Sequence, residues 1–161
     1  SGTLDIKVPG RLEKVALKNG GTAFIDYAHT DDALRNVLNI LRTVTSRELT
    51  VVFGCGGDRD HTKRPRMGLV AAELADHLVL TSDNPRSENP GDIIQEIESG
   101  IPDKIDFQVE ADRAKAIELA LKSAAAGDVI LIAGKGHENY QEINGIRHHF
   151  NDLELVQQLN Q

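Results

Sequence analysis

Four short polar segments hold most of the side chains in this sequence that could do chemistry. Each follows an apolar run and combines glycine or proline with charged, amide or hydroxyl groups. They are residues 26–30 (DYAHT), 54–68 (GCGGDRDHTKRPRMG), 81–90 (TSDNPRSENP) and 133–141 (AGKGHENYQ). A turn requires only some of these groups. We therefore interpret the four segments as candidate loops for binding a small charged molecule.

The segment 54–68 is rich in both glycine and charge. Its glycines allow the backbone to approach a ligand closely, and Asp58 and Asp60 bracket Arg59. Further cations follow just before a predicted helix, whose amino-terminal end favours anions: Lys63, Arg64 and Arg66. The alternative is a solvated loop with a helix cap and ion pairs. The segment is not a nucleotide-binding P-loop, because the spacing G-x-x-x-x-G-K-[ST] occurs nowhere in the chain.

The segments 26–30 and 133–141 suggest different ligand groups. Tyr27 could stack on a base while Asp26 accepts a hydrogen bond from a ribose, although a helix-capping loop with a packed tyrosine explains the same residues. No second ligand stands near His29 at metal-binding spacing, so no metal site is predicted there. In the last segment, Lys135 could bind a carboxylate or phosphate and Glu138 an ammonium group, or both could belong to a polar turn.

The overall composition is typical of a soluble globular protein with one domain. The chain has 161 residues, of which 40% are hydrophobic and 27% charged. A net charge of −7 argues against non-specific nucleic-acid binding. No apolar stretch approaches the ~20 residues that cross a bilayer, so no membrane partner is predicted. The single cysteine, Cys55, fits a reducing compartment. It could act as a nucleophile at a predicted strand end, but a small buried residue is more common there.

Apolar periodicity predicts the elements that position the four loops. Hairpins are expected around Asn19-Gly20 and over residues 143–150, around Asn144-Gly145. The other predicted strands are 49–53, 77–81, 105–109 and 128–133, and the predicted helices are 31–42, 66–75, 92–99, 112–125 and 152–159.

The alternation of these elements predicts an α/β fold. Uninterrupted apolar strands indicate a doubly wound, mostly parallel sheet that is buried on both faces, with an antiparallel edge formed by the first hairpin. Ligands bind such sheets at the carboxyl ends of the strands. The four polar segments are therefore expected to meet at one edge.

The segments also resemble a known family when they are taken together and in order. PGRLE (residues 9–13), DYAHT, VVFGCGGDRDHTKRPRMG, SDNPRSENP and AGKGHENYQ resemble the Rossmann-like C-terminal domain of the Mur ligases, and among them the diaminopimelate-adding members. The resemblance implies that residues 1–161 are one such domain. It also implies a longer chain that supplies an N-terminal UDP-binding domain and a central ATPase domain.

The resemblance implies an ATP-dependent, amide-forming ligase of the bacterial cytoplasm. Such an enzyme activates UDP-MurNAc-L-Ala-D-Glu as an acyl phosphate and joins it to meso-diaminopimelate in peptidoglycan synthesis. ATP and Mg²⁺ are expected to be bound mainly by the central domain. This segment alone is expected to contain no catalytic residue and to be inactive.

The family's binding residues are carried over position by position. Arg11 and Asp26 match positions that hold the ATP ribose, and Tyr27 and His29 match positions that line the nucleotide. The residues implied for meso-diaminopimelate are Arg59, Asp83, Asn84, Arg86, Gly134 and Glu138. No metal ligand is implied in this domain.

The chemistry of Arg86 agrees with that assignment. Diaminopimelate carries a distal carboxylate that lysine lacks, and a guanidinium group binds a carboxylate through two charge-assisted hydrogen bonds. Asn84 and Glu138 could pair with the other groups of the distal end. Pro85 stiffens the loop, which reduces the entropy lost on binding. The alternative is a free-standing α/β module that binds a nucleotide or an amino acid.

Overall fold

A six-stranded sheet organises the chain, which the computed structural model describes over residues 10–161. Pro9 of the PGRLE motif lies outside the described residues. The strands are β1 Glu13–Ala16, β2 Thr22–Asp26, β3 Leu49–Phe53, β4 His77–Leu80, β5 Gln108–Val109 and β6 Val129–Ala133. Their order is β1-β2-β6-β3-β4-β5, and all pairs are parallel except β1–β2. The predicted parallel sheet with an antiparallel edge is confirmed.

Helices cover both faces of this sheet. They are α1 Asp31–Val44, α2 Lys63–Leu74, α3 Pro90–Glu98, α4 Arg113–Lys122 and α5 Asp152–Leu159. Because successive strand residues point to opposite faces, Val51 and Phe53 pack with α1, α2 and α3, whereas Val52 packs with α4 and α5. The sheet is therefore buried on both sides, and only its ends are open to a ligand. In the part of the chain that the structure describes, no helix is both long and apolar enough to cross a membrane.

Several predicted elements have different bounds in the structure, and the changes at α2 and at the predicted strand 105–109 have identifiable causes. Helix α2 begins at Lys63 rather than at residue 66, because Asp60 accepts hydrogen bonds from the backbone and hydroxyl of Thr62. Proline is tolerated within the first helical turn, so the segment 63–66 is helical despite its Pro65. The predicted strand 105–109 shortens to β5, because the backbone of Ile105 donates to the carbonyl of Pro102 and forms a turn.

The second predicted hairpin forms a separate two-stranded sheet of β7 Tyr140–Ile143 and β8 Ile146–His149. Asn144 and Gly145 have φ values of 50° and 76°, as a tight hairpin turn requires. The hairpin begins three residues earlier than predicted, and it contacts the loop after β4 through a bridge between Arg86 and Ile143.

Candidate functional site

A cavity of about 480 Å³ opens where the carboxyl ends of β2, β3, β4 and β6 meet. Its lining includes residues from all four polar segments, so these segments do share one edge of the sheet. All six residues implied for diaminopimelate line this cavity, as do two of the four implied for ATP: Arg59, Asp83, Asn84, Arg86, Gly134 and Glu138, with Tyr27 and His29.

The backbone of Arg86 is held in an unusual conformation. Its φ of 51° lies in the left-handed region, which is unfavourable for a residue with a side chain. The hairpin holds it there: the N–H of Arg86 donates to Glu142 O at 3.0 Å, and the N–H of Asn144 donates to Arg86 O at 2.8 Å. On the side chain, Nη1 donates to Gly57 O at 2.9 Å. The hairpin thus holds the backbone of Arg86, and Gly57 holds its guanidinium group at the cavity wall.

The loop after β3 packs closely against the loop after β4. The N–H of Gly57 donates to Asn84 O at 2.8 Å, and a Cβ atom at Gly57 would lie 1.9 Å from Pro85 O. Any larger residue would force the two loops apart. Ser87 donates to the Asp58 carboxylate at 2.6 Å and lowers the pKa of Asp58. These contacts hold Arg59 and Arg86 on neighbouring walls of the cavity.

Beneath these loops lies a buried guanidinium group that does not line the cavity. Arg64 is fully enclosed and reaches Glu88 at 2.7 Å and Glu96 at 3.1 Å, and it donates to Gly56 O at 2.8 Å. The Arg64 hydrogen bond lowers the pKa of Glu88 to about 2. The prediction that Arg64 is one of the cations available to an anionic ligand is wrong, because two carboxylates already neutralise it.

His61 joins the same two carboxylates. Ligand-type atoms of His61, Glu88 and Glu96 lie within 4.8 Å of one another, a grouping that could hold a metal ion. However, Arg64 bonds both oxygens of Glu88 and one of Glu96. A cation therefore already occupies this cluster, and we interpret it as a clamp between loops.

The fourth loop contributes a glycine, a buried lysine and an acid. Gly134 has a φ of 116°, and a Cβ atom there would lie 2.6 Å from Asp83 Oδ2. Lys135 is fully buried and reaches both Asn84 and Glu138. The idea that Lys135 binds a ligand carboxylate or phosphate is therefore wrong. Burial raises the pKa of Asp83, which the nearby Arg113 and Lys135 oppose.

The residues implied for ATP separate into two groups. Arg11, Tyr27 and His29 form an accessible rim: the guanidinium carbon lies 5.8 Å from the tyrosine ring centre, and the two ring centroids are 4.5 Å apart. Asp26 is only 2% exposed, and its carboxylate accepts the backbone N–H groups of Leu12 and Ala28 at 2.8 and 2.9 Å. Asp26 therefore connects the segment of Arg11 to the segment of Tyr27 and His29, which together form this rim.

A buried ion pair behind the cavity has no signature in the sequence. Arg113 and Asp152 are both fully enclosed and approach to 2.7 Å. Arg113 also donates to Ser82 O and Ala133 O, at the ends of β4 and β6. The pair fixes the two strand ends from which the loops of Asp83 and Gly134 start.

Cys55 is excluded as a nucleophile. It is 2% exposed, and its Sγ lies 3.6 Å from the sulfur of Met67. Burial raises the pKa of its thiol to about 12, so almost no reactive thiolate exists at neutral pH.

Comparison with known proteins identifies the family. Residues 10–136 match the model described as "Mur ligase, glutamate ligase domain". The chain belongs to the Mur ligase family. Among similar relatives, the UDP-N-acetylmuramoyl-L-alanyl-D-glutamate–2,6-diaminopimelate ligase of Chlorobaculum tepidum is 52% identical over 153 residues, or 93% of this chain and 30% of the relative. The ligase of the same name from Synechococcus elongatus is 52% identical over 150 residues, or 92% of this chain and 30% of the relative.

Solved structures share the fold of this chain. A structure of UDP-N-acetylmuramoyl-L-alanyl-D-glutamate–2,6-diaminopimelate ligase matches with a TM-score of 0.89 at 46% identity, over 96% of this Mur ligase chain and 32% of that chain. A domain from a putative Mur-type ligase of Haemophilus ducreyi shares the fold alone, with a TM-score of 0.58 at 18% identity, over 92% of this chain and 96% of that one. The chain spans about 30% of the length of the curated relatives it matches.

Proposed function

We propose that this Mur ligase domain binds meso-diaminopimelate and the ribose of ATP within a ligase that adds the amino acid to UDP-MurNAc-L-Ala-D-Glu. The observation that carries the proposal is the convergence of Arg59, Arg86 and Glu138 from three separate loops on one cavity. The relatives at about half identity bear the name of this ligase, which supports the same substrate.

The groups left free in the cavity suit the distal end of diaminopimelate. Arg59 and Arg86 each use one nitrogen to bond a backbone carbonyl, which leaves further guanidinium N–H groups to bind a carboxylate. Asn84 supplies an amide N–H, and Glu138 can accept from the distal ammonium. Lysine has no distal carboxylate, so it would leave these donors unpaired, and unpaired polar groups discriminate strongly between substrates.

The remaining cavity residues are proposed to shape the pocket. Asp83 and Gly134 bring the loops after β4 and β6 into contact, because a glycine with a φ of 116° at this position leaves room for the aspartate carboxylate. With the distal end held by charged groups on rigid loops, the other amine of diaminopimelate is left unbound to react. Positioning of this kind is a large part of catalysis in bond-forming reactions.

The rim of Arg11, Tyr27 and His29 fits the nucleoside of ATP, because it presents two accessible rings and a cation beside the cavity. ATP supplies the phosphoryl group that activates the acceptor carboxylate. Since the chain contains no P-loop spacing, the phosphates and Mg²⁺ are proposed to be bound by other parts of a longer protein. We expect the 161-residue chain to be inactive alone, and the whole ligase to act in the bacterial cytoplasm.

The test uses the full-length enzyme and a competition between meso-diaminopimelate and lysine. Replacing Arg86 with alanine should lower kcat/KM for diaminopimelate and leave the low value for lysine almost unchanged, so the ratio of the two falls. Arg47→Ala is the matched control, because this arginine is exposed just before β3, at the opposite end of the sheet, and does not line the cavity. An unchanged ratio in Arg86→Ala would refute its role. A full-length protein without ATP-dependent amide formation would favour a binding module instead.

A further inference from the structure

Lys135 lies directly beneath the proposed amino-acid pocket. Its side chain is 0% exposed, and its ammonium group lies 2.9 Å from Asn84 Oδ1, 3.1 Å from Glu138 Oε1 and 3.7 Å from Asp83 Oδ1. It also lies 5.6 Å from the ring centre of Tyr140. One buried cation therefore contacts three of the six residues proposed to bind diaminopimelate. Because it is enclosed, it must act through them.

The first effect of Lys135 is on the amide of Asn84. Oδ1 of Asn84 accepts from Lys135 Nζ and from the backbone N–H of Glu142, both at 2.9 Å. Turning the amide over would place its NH₂ group against two other donors, with no acceptor between them. The amide is therefore locked with Nδ2 on the side of Glu138, to which it donates at 3.3 Å. Its second N–H remains for a ligand.

The second effect is on Glu138. Its Oε1 accepts from both Lys135 and Asn84, and within residues 10–161 no group donates to its Oε2. Lys135 also offsets the negative charge of Asp83 and Glu138, which both lie within 4 Å of its nitrogen. Without this cation, the carboxylates of Asp83 and Glu138 would lie close together with only Arg113 near Asp83 to offset their charge, and burial of a poorly paired charge is costly.

We propose that Lys135 is a positioning residue that determines amino-acid specificity, by turning the amide N–H of Asn84 and Oε2 of Glu138 towards the pocket. This inference rests on the proposed function. In this arrangement the amide N–H of Asn84 is a donor and Oε2 of Glu138 is an acceptor, side by side. The pair complements the carboxylate and the ammonium group of a distal amino-acid end. A substrate with a distal ammonium alone uses only half of the pair.

The test replaces Lys135 with methionine and with glutamine in the full-length ligase. KM and kcat are measured for meso-diaminopimelate, lysine and ATP. Methionine should raise KM for diaminopimelate by about tenfold or more, as expected when a binding site loses an oriented hydrogen-bond donor, with little change in KM for ATP. Glutamine, which can still donate to Asn84, should recover part of the loss. Lys122→Met is the control, because Lys122 is exposed on α4.

A double-mutant cycle separates positioning from a general loss of structure. If Lys135 acts through the amide, Lys135→Gln should cost less in the Asn84→Ser background than in the parent enzyme, because the group being oriented is already absent. Additive effects, or an equal fall in kcat for both amino acids with unchanged KM values, would overturn the inference. If the parent enzyme does not use diaminopimelate at all, the proposed function fails instead. Thermal unfolding identifies the folded variants, and the shorter glutamine keeps the test available if methionine prevents folding.

Discussion

The ion pair of Glu88 with Arg64 should make a measurable contribution to the free energy of unfolding of this chain. Replacing Glu88 with glutamine keeps the shape of the side chain and removes its charge beside a fully buried guanidinium group. The pKa of Glu88 falls from 4.5 to about 2 in the folded chain. Because one pKa unit corresponds to about 1.4 kcal/mol, the ionised Glu88 contributes at most about 3.5 kcal/mol at neutral pH, chiefly through Arg64. One fifth of the Glu88 side chain is exposed, which reduces this to about 2 kcal/mol.

The sign of the pH dependence follows from the depressed pKa. Between pH 4.5 and pH 2 the unfolded chain binds a proton at Glu88 that the folded chain does not, so stability rises with pH across this window. The contribution is complete above about pH 5, about half remains at pH 3, and it is lost below pH 2. Glu88→Gln should therefore destabilise the chain most near neutral pH, and the difference from the parent should shrink on acidification.

Urea unfolding of the 161-residue chain at pH 7, 5, 4 and 3 measures this difference. The control is Glu73→Gln, which also removes a carboxylate paired with an arginine, but at the surface, where both side chains are nearly half exposed. The control should cost about 0.5 kcal/mol or less. If parent and Glu88→Gln differ by the same amount at pH 3 and at pH 7, the ionised carboxylate is not what stabilises the clamp, and the reasoning is refuted.

Three further predictions concern the loops and the core. Gly57→Ala should destabilise the chain by about 3 kcal/mol or more in urea unfolding, because a Cβ would lie 1.9 Å from Pro85 O. The control is Gly145→Ala, which has a positive φ but open space around it and should cost about 1 kcal/mol. Similar losses for the two variants would contradict the argument. Asp152→Asn should cost about 3–5 kcal/mol by the same measurement, because it leaves a buried arginine without its carboxylate; a loss below about 1 kcal/mol would be inconsistent with that. Cys55 should resist a thiol reagent at pH 8 in the folded chain and react rapidly in urea, because its pKa of about 12 leaves about one thiolate in 10⁴; rapid labelling of the folded chain would show that the thiol is accessible.

Local patterns in the sequence were sufficient for most of the fold. The mostly apolar runs at 49–53 and 128–133 predict the central strands, because a strand buried on both faces is apolar at nearly every position. The Asn144-Gly145 pair marked the second hairpin, because few other residues tolerate two successive positive φ values. The predicted start of α2 is three residues late, because the true start depends on hydrogen bonds from Thr62 to Asp60 that precede the periodic part of the helix.

The sequence predicts which residues belong to the candidate site, but not what each of them does there. The motif order placed Arg59, Arg86 and Glu138 in loops at one sheet edge, and the structure brings them to one cavity. Tyr140 also lines this cavity and was not selected, because an aromatic residue at the start of a strand has no signal that separates packing from binding. Arg64 was grouped with the ligand-facing cations, since its position before a helix resembles that of its neighbours in the sequence.

What the sequence determined by itself was the fold class, the loops that carry the chemistry and the resemblance to the Mur ligases, because each depends on residue type and spacing along a short segment. What only the tertiary structure decided was which charged groups are free. Lys135 and Arg64 are both buried by partners more than 20 residues away. Burial and pairing depend on contacts between distant segments, and these determine whether a cation binds a ligand or holds the site in shape.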